Sequence, residues 1–339
     1  MNRNWIKIAS IYIGTVIGAG FASGREILDF FAIYGAKGIW GIYIAGLLFA
    51  AVGSLLLYKI HKGQVKNFDQ LNQDVFGKKL APLVDALTIL SLYTGFSVMV
   101  AGSGAVFKEQ LGLPFYMGVV VMLVCCFIVF LFNLEGLSLI NTILVPLLII
   151  GILFTSHYFS SKTGYKFPYL DGISFTLKGN FISSAILYFG SNSLLIIVVF
   201  SSLGDLIDSR RTAILGGLTG GFILYILGMA ILYSILLHFI EIQYVDVPML
   251  KISNYISKDY GKIYSLILWI AMFTTALANG FGFVNRLGRS RNRIIVIVIF
   301  SISTIPLARL GFAKLIGIIY PVFGLIGSIM IFRIIISNK

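Results

Sequence analysis

The chain is short of charge. Of its 339 residues only 12 % are Asp, Glu, Lys or Arg, while 58 % are hydrophobic. Soluble globular domains carry about 25 % charged residues, so this scarcity argues against a soluble protein built on one large core. Apolar runs recur along the whole length, and roughly 20 apolar residues cross the hydrocarbon layer of a bilayer. The expectation is a multi-pass protein of the cell membrane. Cysteine is nearly absent as well. The only two, Cys125 and Cys126, are neighbours in an apolar run, so they cannot staple distant parts of the fold and have no metal-ligand spacing. The three histidines, His61, His157 and His238, fall near segment ends without ligand spacing. No nucleophile motif, phosphate-binding glycine loop or metal cluster occurs. Neither an enzyme nor an organic cofactor is expected.

The charge that is present is lopsided, with 26 basic residues against 13 acidic. A positive balance can signal nucleic acid. Here the basic residues sit in short loops between apolar runs, the pattern that orients a membrane protein, and no nucleic-acid partner is expected. Ten apolar segments are read, at 5–34, 38–60, 80–107, 115–132, 137–159, 181–206, 212–240, 263–286, 294–310 and 312–336. Lys59, Lys62, Lys66, Lys78 and Lys79 fall in one loop, and "RLGRSRNR" (286–293) puts four arginines in another. Both loops lie on the same side when the two termini are cytoplasmic. The expected fold is all-α, a single transmembrane domain of ten helices. It divides into residues 1–159 and 181–336, and five segments in each half make the halves inverted repeats.

Two segments are interrupted in corresponding places: the first by "GAGFASG" (18–24), the sixth by "YFGSNS" (188–193). Paired discontinuous helices mark the substrate site of many secondary transporters. Glycine-rich membrane helices also serve close packing, and that alternative applies to either interruption. The first segment also imitates a secretory signal ending near 20–22. Ile27, Leu28, Phe30 and Phe31 carry the apolar pattern past that point, which favours a helix that resumes.

Unwound backbone at membrane depth survives only where protein or a water-filled cavity satisfies it. Free N–H groups over Gly18, Ala19, Gly20 and Phe21, at the start of the resumed half-helix, form an anion site. Freed carbonyls of Gly14 and Ile17 can take a cation. In the eighth segment "WIAMFTTALANG" places Ala271, Thr274 and Thr275 on one face, where a carbonyl and two hydroxyls can meet a small hard cation. The alternative is that both threonines bond back to carbonyls one turn earlier. Arg25 and Glu26 follow the first interruption on different helix faces, and Asp29 shares the face of Glu26. Charged residues inside spans are functional candidates, so Arg25 and Glu26 are candidates for coupling; the alternative is that Glu26 pairs structurally with another helix. Tyr93 on the third segment, with Phe21, Tyr188, Phe189 and Asn192, is a candidate for shaping the organic part of a pocket.

With these residues in hand, the chain resembles the amino acid–polyamine–organocation superfamily, which has the LeuT fold. "IGAGF" (17–21) is similar to the glycine element of that superfamily's first helix, which cradles a substrate carboxylate. More narrowly, "GAGFASGREILDFF" (18–31) resembles the opening of the YkvI-like bacterial membrane proteins. The resemblance implies a sodium site between the first and eighth helices. Its ligands would be the carbonyls of Gly14, Ile17 and Ala271 and the hydroxyls of Thr274 and Thr275. Proton-coupled relatives replace that sodium with a lysine on the fifth helix, and "LSLINTILVPLLIIG" contains none. Arg25 falls near the position of an outer-gate arginine, but its acidic partner on the tenth helix is missing from "LIGIIYPVFGLIG". The function implied is sodium-coupled, alternating-access transport of a small carboxylate-bearing solute such as an amino acid. A membrane sensor that binds the same solute without flux is the competing class.

Overall fold

The computed structural model describes residues 3–132, 137–164, 179–286 and 293–337. The described chain is all-helical. Its elements are α1 (Asn4–Val16), α2 (Ala19–Ala22), α3 (Arg25–Phe30), α4 (Lys37–Lys62), α5 (Phe68–Leu111), α6 (Phe115–Phe132), α7 (Leu137–Lys162) and α8 (Phe181–Ser201). They continue with α9 (Arg210–Leu237), α10 (Phe239–Ile242), α11 (Pro248–Ile256), α12 (Lys258–Arg286), α13 (Arg293–Ser303), α14 (Ile305–Ala308) and α15 (Phe312–Ile336). Among the described residues seven helices are long and apolar enough to cross a membrane, namely α4, α5, α7, α8, α9, α12 and α15. Shorter apolar helices cover Phe115–Leu131 and Ile294–Ala308. The first apolar segment is divided among α1, α2 and α3. Most of the arginine-rich loop, 287–292, lies outside the described residues.

Lipid tails are as apolar as leucine, so helix association there depends on close packing and small residues. The contact of α4 with α9 follows that rule. A Cβ on Gly217 would stand 2.5 Å from the backbone of Ser54, and one on Gly221 would stand 2.3 Å from the backbone of Ala50. The tightly packed pairs have an order to them. Helix α4 lies on α9, α5 on α12, and α1 on α8, and each pair joins segments five apart in the sequence count. The cross pairs α1 with α9 and α4 with α8 also occur, as do α7 with α12 and α5 with α15.

The sixth segment corrects a sequence expectation. Helix α8 runs unbroken from Phe181 to Ser201, and "YFGSNS" does not interrupt it. Its small residues serve packing instead. A Cβ on Gly190 would lie 2.0 Å from the carbonyl oxygen of Gly324 on α15, and one on Gly327 would lie 1.9 Å from that of Gly190. The polar residues bond back to their own helix. Ser191 Oγ and Asn192 Nδ2 donate to the Tyr188 carbonyl at 2.8 and 3.0 Å, and Ser193 Oγ donates to that of Phe189 at 2.8 Å.

The third segment is longer than its apolar core. Asn67 caps α5 by accepting from the Gln70 N–H, and Gly77 (φ 69°, ψ 170°) bends the chain before the long apolar stretch. Asn72 Nδ2 spans that corner, donating to the Ala81 carbonyl and to Asp85, each at 3.0 Å. Asp85 also pairs with Arg286 at 3.3 Å, which ties the same ends of α5 and α12 together.

Candidate solute-binding site

The first segment is interrupted twice. Helix α1 stops at Val16, where Ile17 takes φ −74° and ψ 70° and the Gly18 N–H donates to the Val16 carbonyl at 2.7 Å. That is an inverse γ-turn. Gly18 is then extended (φ −87°, ψ −179°), and α2 makes a single turn. Gly24 adopts the left-handed conformation (φ 78°) before α3 begins. A side chain at Gly24 would be strained, and its Cβ would meet Met249 Cγ at 2.7 Å. The γ-turn has a consequence at each end. Gly18 N–H, the helical partner of the Gly14 carbonyl, is diverted to Val16. The N–H groups of Ala19, Gly20 and Phe21 open a new helix and so fall outside the i→i−4 pattern.

A cavity of about 820 Å³ adjoins this point, well within the size range of small-molecule sites. Its walls come from α1, α2 and Glu26 of α3, with α5, α7, α8, α12 and α15. At one end the wall reaches the exposed residues Ser10, Ile11, Leu195 and Ala278; at the other it ends on buried Ala19, Gly20 and Glu26. Of the residues anticipated from sequence, Gly14, Gly18, Ala19, Gly20, Glu26, Asn192, Thr274 and Thr275 line it. Ile17 and Ala271 are buried beside it without forming wall.

The aromatic candidates lie elsewhere. Phe21, 2 % exposed, faces Ile42, Ala45 and Phe49 of α4. Tyr188 packs edge-on to Phe31 and Phe49, and Phe189 packs on Phe49. Tyr93 is turned toward α13. It packs on Phe283 and Phe300, and its hydroxyl donates to the Ser303 carbonyl at 2.7 Å. The sequence reading missed several wall residues, including Ser91, Thr94, Asn279 and Tyr320. Scattered polar residues in apolar helices gave no pattern, although Tyr320 before Pro321 was visible in "LIGIIYPVFGLIG".

Gly14 and the two threonines share the cavity wall. Thr274 Oγ1 donates to the Ala271 carbonyl at 3.1 Å, the back-bonded arrangement weighed above. Ala271 lies inside α12, so its carbonyl also accepts the helical Thr275 N–H, and a cation there would share an acceptor whose two lone pairs are already engaged. The oxygens brought to this region are all uncharged.

Glu26 closes the cavity's buried end. It is 4 % exposed. A Cβ built on Gly20 would lie 1.9 Å from Glu26 Oε1, so the carboxylate stands directly over the unwound segment. The Tyr320 hydroxyl hydrogen-bonds to the Glu26 side chain. Glu26 Oε2 is buried with no hydrogen-bond partner, as is the Tyr188 hydroxyl.

Arg25 is not on the cavity wall and bonds beyond Glu26. It holds Asp29 through two bonds, at 3.0 and 2.6 Å, and donates to the Val245 carbonyl at 3.0 Å. The acidic partner is thus one turn along the same helix, and the tenth segment does not supply it. Further bonds knit the same region. Met249 N–H donates to the Ser23 carbonyl at 2.9 Å, and the Tyr264 hydroxyl donates to the Ala22 carbonyl at 2.7 Å. Asp246 accepts from Ala313 N–H at 3.2 Å, and its own N–H donates to Glu109 at 2.8 Å. The 239–256 segment therefore caps α3, α5 and α15 together.

No protein-family model matches the chain. It is 29 % identical over 329 residues to the membrane protein YkvI of Bacillus subtilis (strain 168), covering 94 % of this chain and 91 % of that one. Among solved structures, the inward-facing conformation of Mhp1 superposes with a TM-score of 0.70 at 12 % identity, covering 97 % of this chain and 75 % of Mhp1. MhsT in complex with L-phenylalanine gives 0.64 at 15 % identity, covering 98 % and 88 %. The chain is thus similar to YkvI over nearly its whole length, and it is a multi-pass protein of the cell membrane with the LeuT-type fold.

Proposed function

We propose that the protein is a secondary active transporter that moves a small, amino-acid-like solute by alternating access. One observation carries the reading: a solute-sized cavity ends on unwound backbone in the middle of an apolar segment. Irregular backbone at that depth belongs where it lines a site. In this reading ten segments span the bilayer as two inverted five-helix repeats, with both termini cytoplasmic. Pairing between segments five apart, and the matched cross pairs, support the repeat.

One pair breaks the match, and it supports a cavity that faces one side. Helix α15 packs on α8 along Gly190, Gly324 and Gly327. The corresponding partners in the first half, α7 and α1, make no comparable contact: Val145 and Pro146 line the cavity with Gly14 and Ile11, and a Cβ on Gly14 would lie 3.5 Å from Val145 Cγ2. In this reading the open end is the one with exposed Ser10 and Ile11 of α1, on the side of Lys59 and Lys62, and the other end lies under the 239–256 segment. The positive-inside rule makes the open end cytoplasmic. The closer match to inward-facing Mhp1 (TM-score 0.70) than to the closed, ligand-bound form (0.58) agrees with this.

Sodium is the coupling ion in this reading. It is held by the carbonyls of Gly14, Ile17 and Ala271 and the hydroxyls of Thr274 and Thr275. An uncharged, all-oxygen set suits a small hard cation. Solute meets the neighbouring residues from Gly18 to Gly20, with Asn192 on the same wall.

The test is a thermal-shift screen of small solutes in sodium against potassium, because a ligand stabilises the state it binds. At least one amino-acid-like solute should raise the melting temperature, and sodium should enlarge that rise. Equal responses in the two salts would remove sodium from the account. No response to any solute would remove the binding site.

A further inference from the structure

Glu26 is the one charged side chain on the cavity wall among the described residues. Its surroundings supply no counter-charge. Arg25, its neighbour in sequence, is engaged by Asp29 and Val245. From α15 comes the Tyr320 hydroxyl, from α8 the Tyr188 hydroxyl, and from its own helix Asp29, which only adds negative charge. Two polar atoms in this group, Glu26 Oε2 and Tyr188 Oη, are buried with no hydrogen-bond partner. A carboxylate removed from water without a partner is costly, and acidic residues inside membrane segments mark pathways for what is carried. The space over Gly20, beside unwound backbone suited to a solute anion, is already filled by the protein's own carboxylate.

We propose that Glu26 receives the positively charged amine of the solute, so that the site selects small zwitterions or cations and rejects solutes whose only charge is negative. This deepens the transporter reading and rests on the cavity being a solute site. Tyr320 holds one side of the carboxylate, and the bare Cα of Gly20 leaves room for it. An ammonium entering from the cavity supplies the missing charge. Its three N–H donors can serve the carboxylate together with a hydroxyl or carbonyl nearby. No lysine, arginine or histidine on the described wall can do the same for a dicarboxylate.

The test uses the full purified chain and solutes that share one skeleton. The probes are L-phenylalanine, 2-phenylethylamine, N-acetyl-L-phenylalanine and 3-phenylpropanoate, with the matching leucine series. Binding is read by thermal shift and by titration. The amine-bearing members should bind, and the acetylated and deaminated members should bind on the order of 30-fold more weakly or worse, as when one partner of a buried charge pair is lost. Glu26→Gln should lose the preference for the amine, and Glu26→Asp should keep part of it. The wild-type comparison decides the matter even where a variant does not fold. The proposal is overturned if the deaminated acids bind as well as the amino acids. A Glu26→Gln protein with unchanged preference, or amines in both series that fail to bind, overturns it equally. The transporter reading fails separately. Amine binding with no flux in proteoliposomes leaves the Glu26 assignment standing and removes transport, whereas equal flux of a purely anionic solute does the reverse.

Discussion

Replacing Arg25 with glutamine should loosen the outer seal and expose the cavity to the far side of the membrane. Arg25 spans two bodies. Its bidentate pair with Asp29 lies within α3, while its bond to the Val245 carbonyl reaches the capping segment. Only the second bond opposes opening. A hydrogen bond from a charged donor contributes about 1.5–3 kcal/mol, and each 1.4 kcal/mol is about a tenfold change in a population. The outward-open fraction should therefore rise roughly 10- to 100-fold, a range consistent with that energy. Three other bonds still hold the cap, through Met249 N–H, the Asp246 carboxylate and the Asp246 N–H, so the seal weakens without being abolished. The assay places a reporter thiol at Ser191, on the cavity wall, in a chain with Cys125 and Cys126 changed to alanine. Labelling by a membrane-impermeant maleimide is timed from each side. In the Ser191→Cys protein, labelling should be fast from the cytoplasmic side and slow from outside. Adding Arg25→Gln should speed the outer rate by the stated factor. An unchanged outer rate in a folded protein would refute the assignment of Arg25 to the seal.

Three other substitutions follow from the same geometry. Gly20→Ala puts a methyl group 1.9 Å from Glu26 Oε1; the carboxylate must swing away, and solute affinity by titration should fall at least tenfold, the equivalent of about 1.4 kcal/mol. Thr274→Ala combined with Thr275→Ala removes both proposed hydroxyl ligands, so the extra thermal stabilisation seen in sodium over potassium should vanish while the protein stays folded. Gly221→Ala drives a Cβ to 2.3 Å from the backbone of Ala50. Overpacking of that kind costs about 1–3 kcal/mol and should lower the melting temperature without changing solute selectivity.

The residues that announced the site were those whose chemistry conflicts with a plain membrane helix. "GAGFASGRE" could be read because glycine, serine and charge are all out of place in the middle of a span. Its finer form could not. Composition does not distinguish one break from two, and the γ-turn at Ile17 and the left-handed Gly24 are set by what packs against them. "YFGSNS" shows the opposite limit. Small and polar residues encode close crossing as readily as unwinding, and only the approach of α15 to Gly190 decides between them. The partner of Arg25 was within reach, because Asp29 stands four residues on, the spacing at which helical charges pair. The aromatic residues were the least legible. Tyr93, Tyr188, Phe189 and Phe21 all sit near the site in sequence terms, yet helix rotation turns each toward packing. Among the polar wall positions, Ser91, Thr94 and Asn279 carry no motif.

The central claim is that the cavity at the broken first segment carries solute across the membrane at the expense of an ion gradient. Uptake of radiolabelled L-phenylalanine and L-leucine into proteoliposomes, with sodium outside and potassium inside, tests it most directly. The account predicts accumulation above the equilibrium level for at least one amine-bearing solute, collapse of that accumulation when sodium is equal on both sides, and its loss in Glu26→Gln. Tight solute binding with no accumulation under any gradient would contradict it and make the protein a membrane sensor with a transporter's fold.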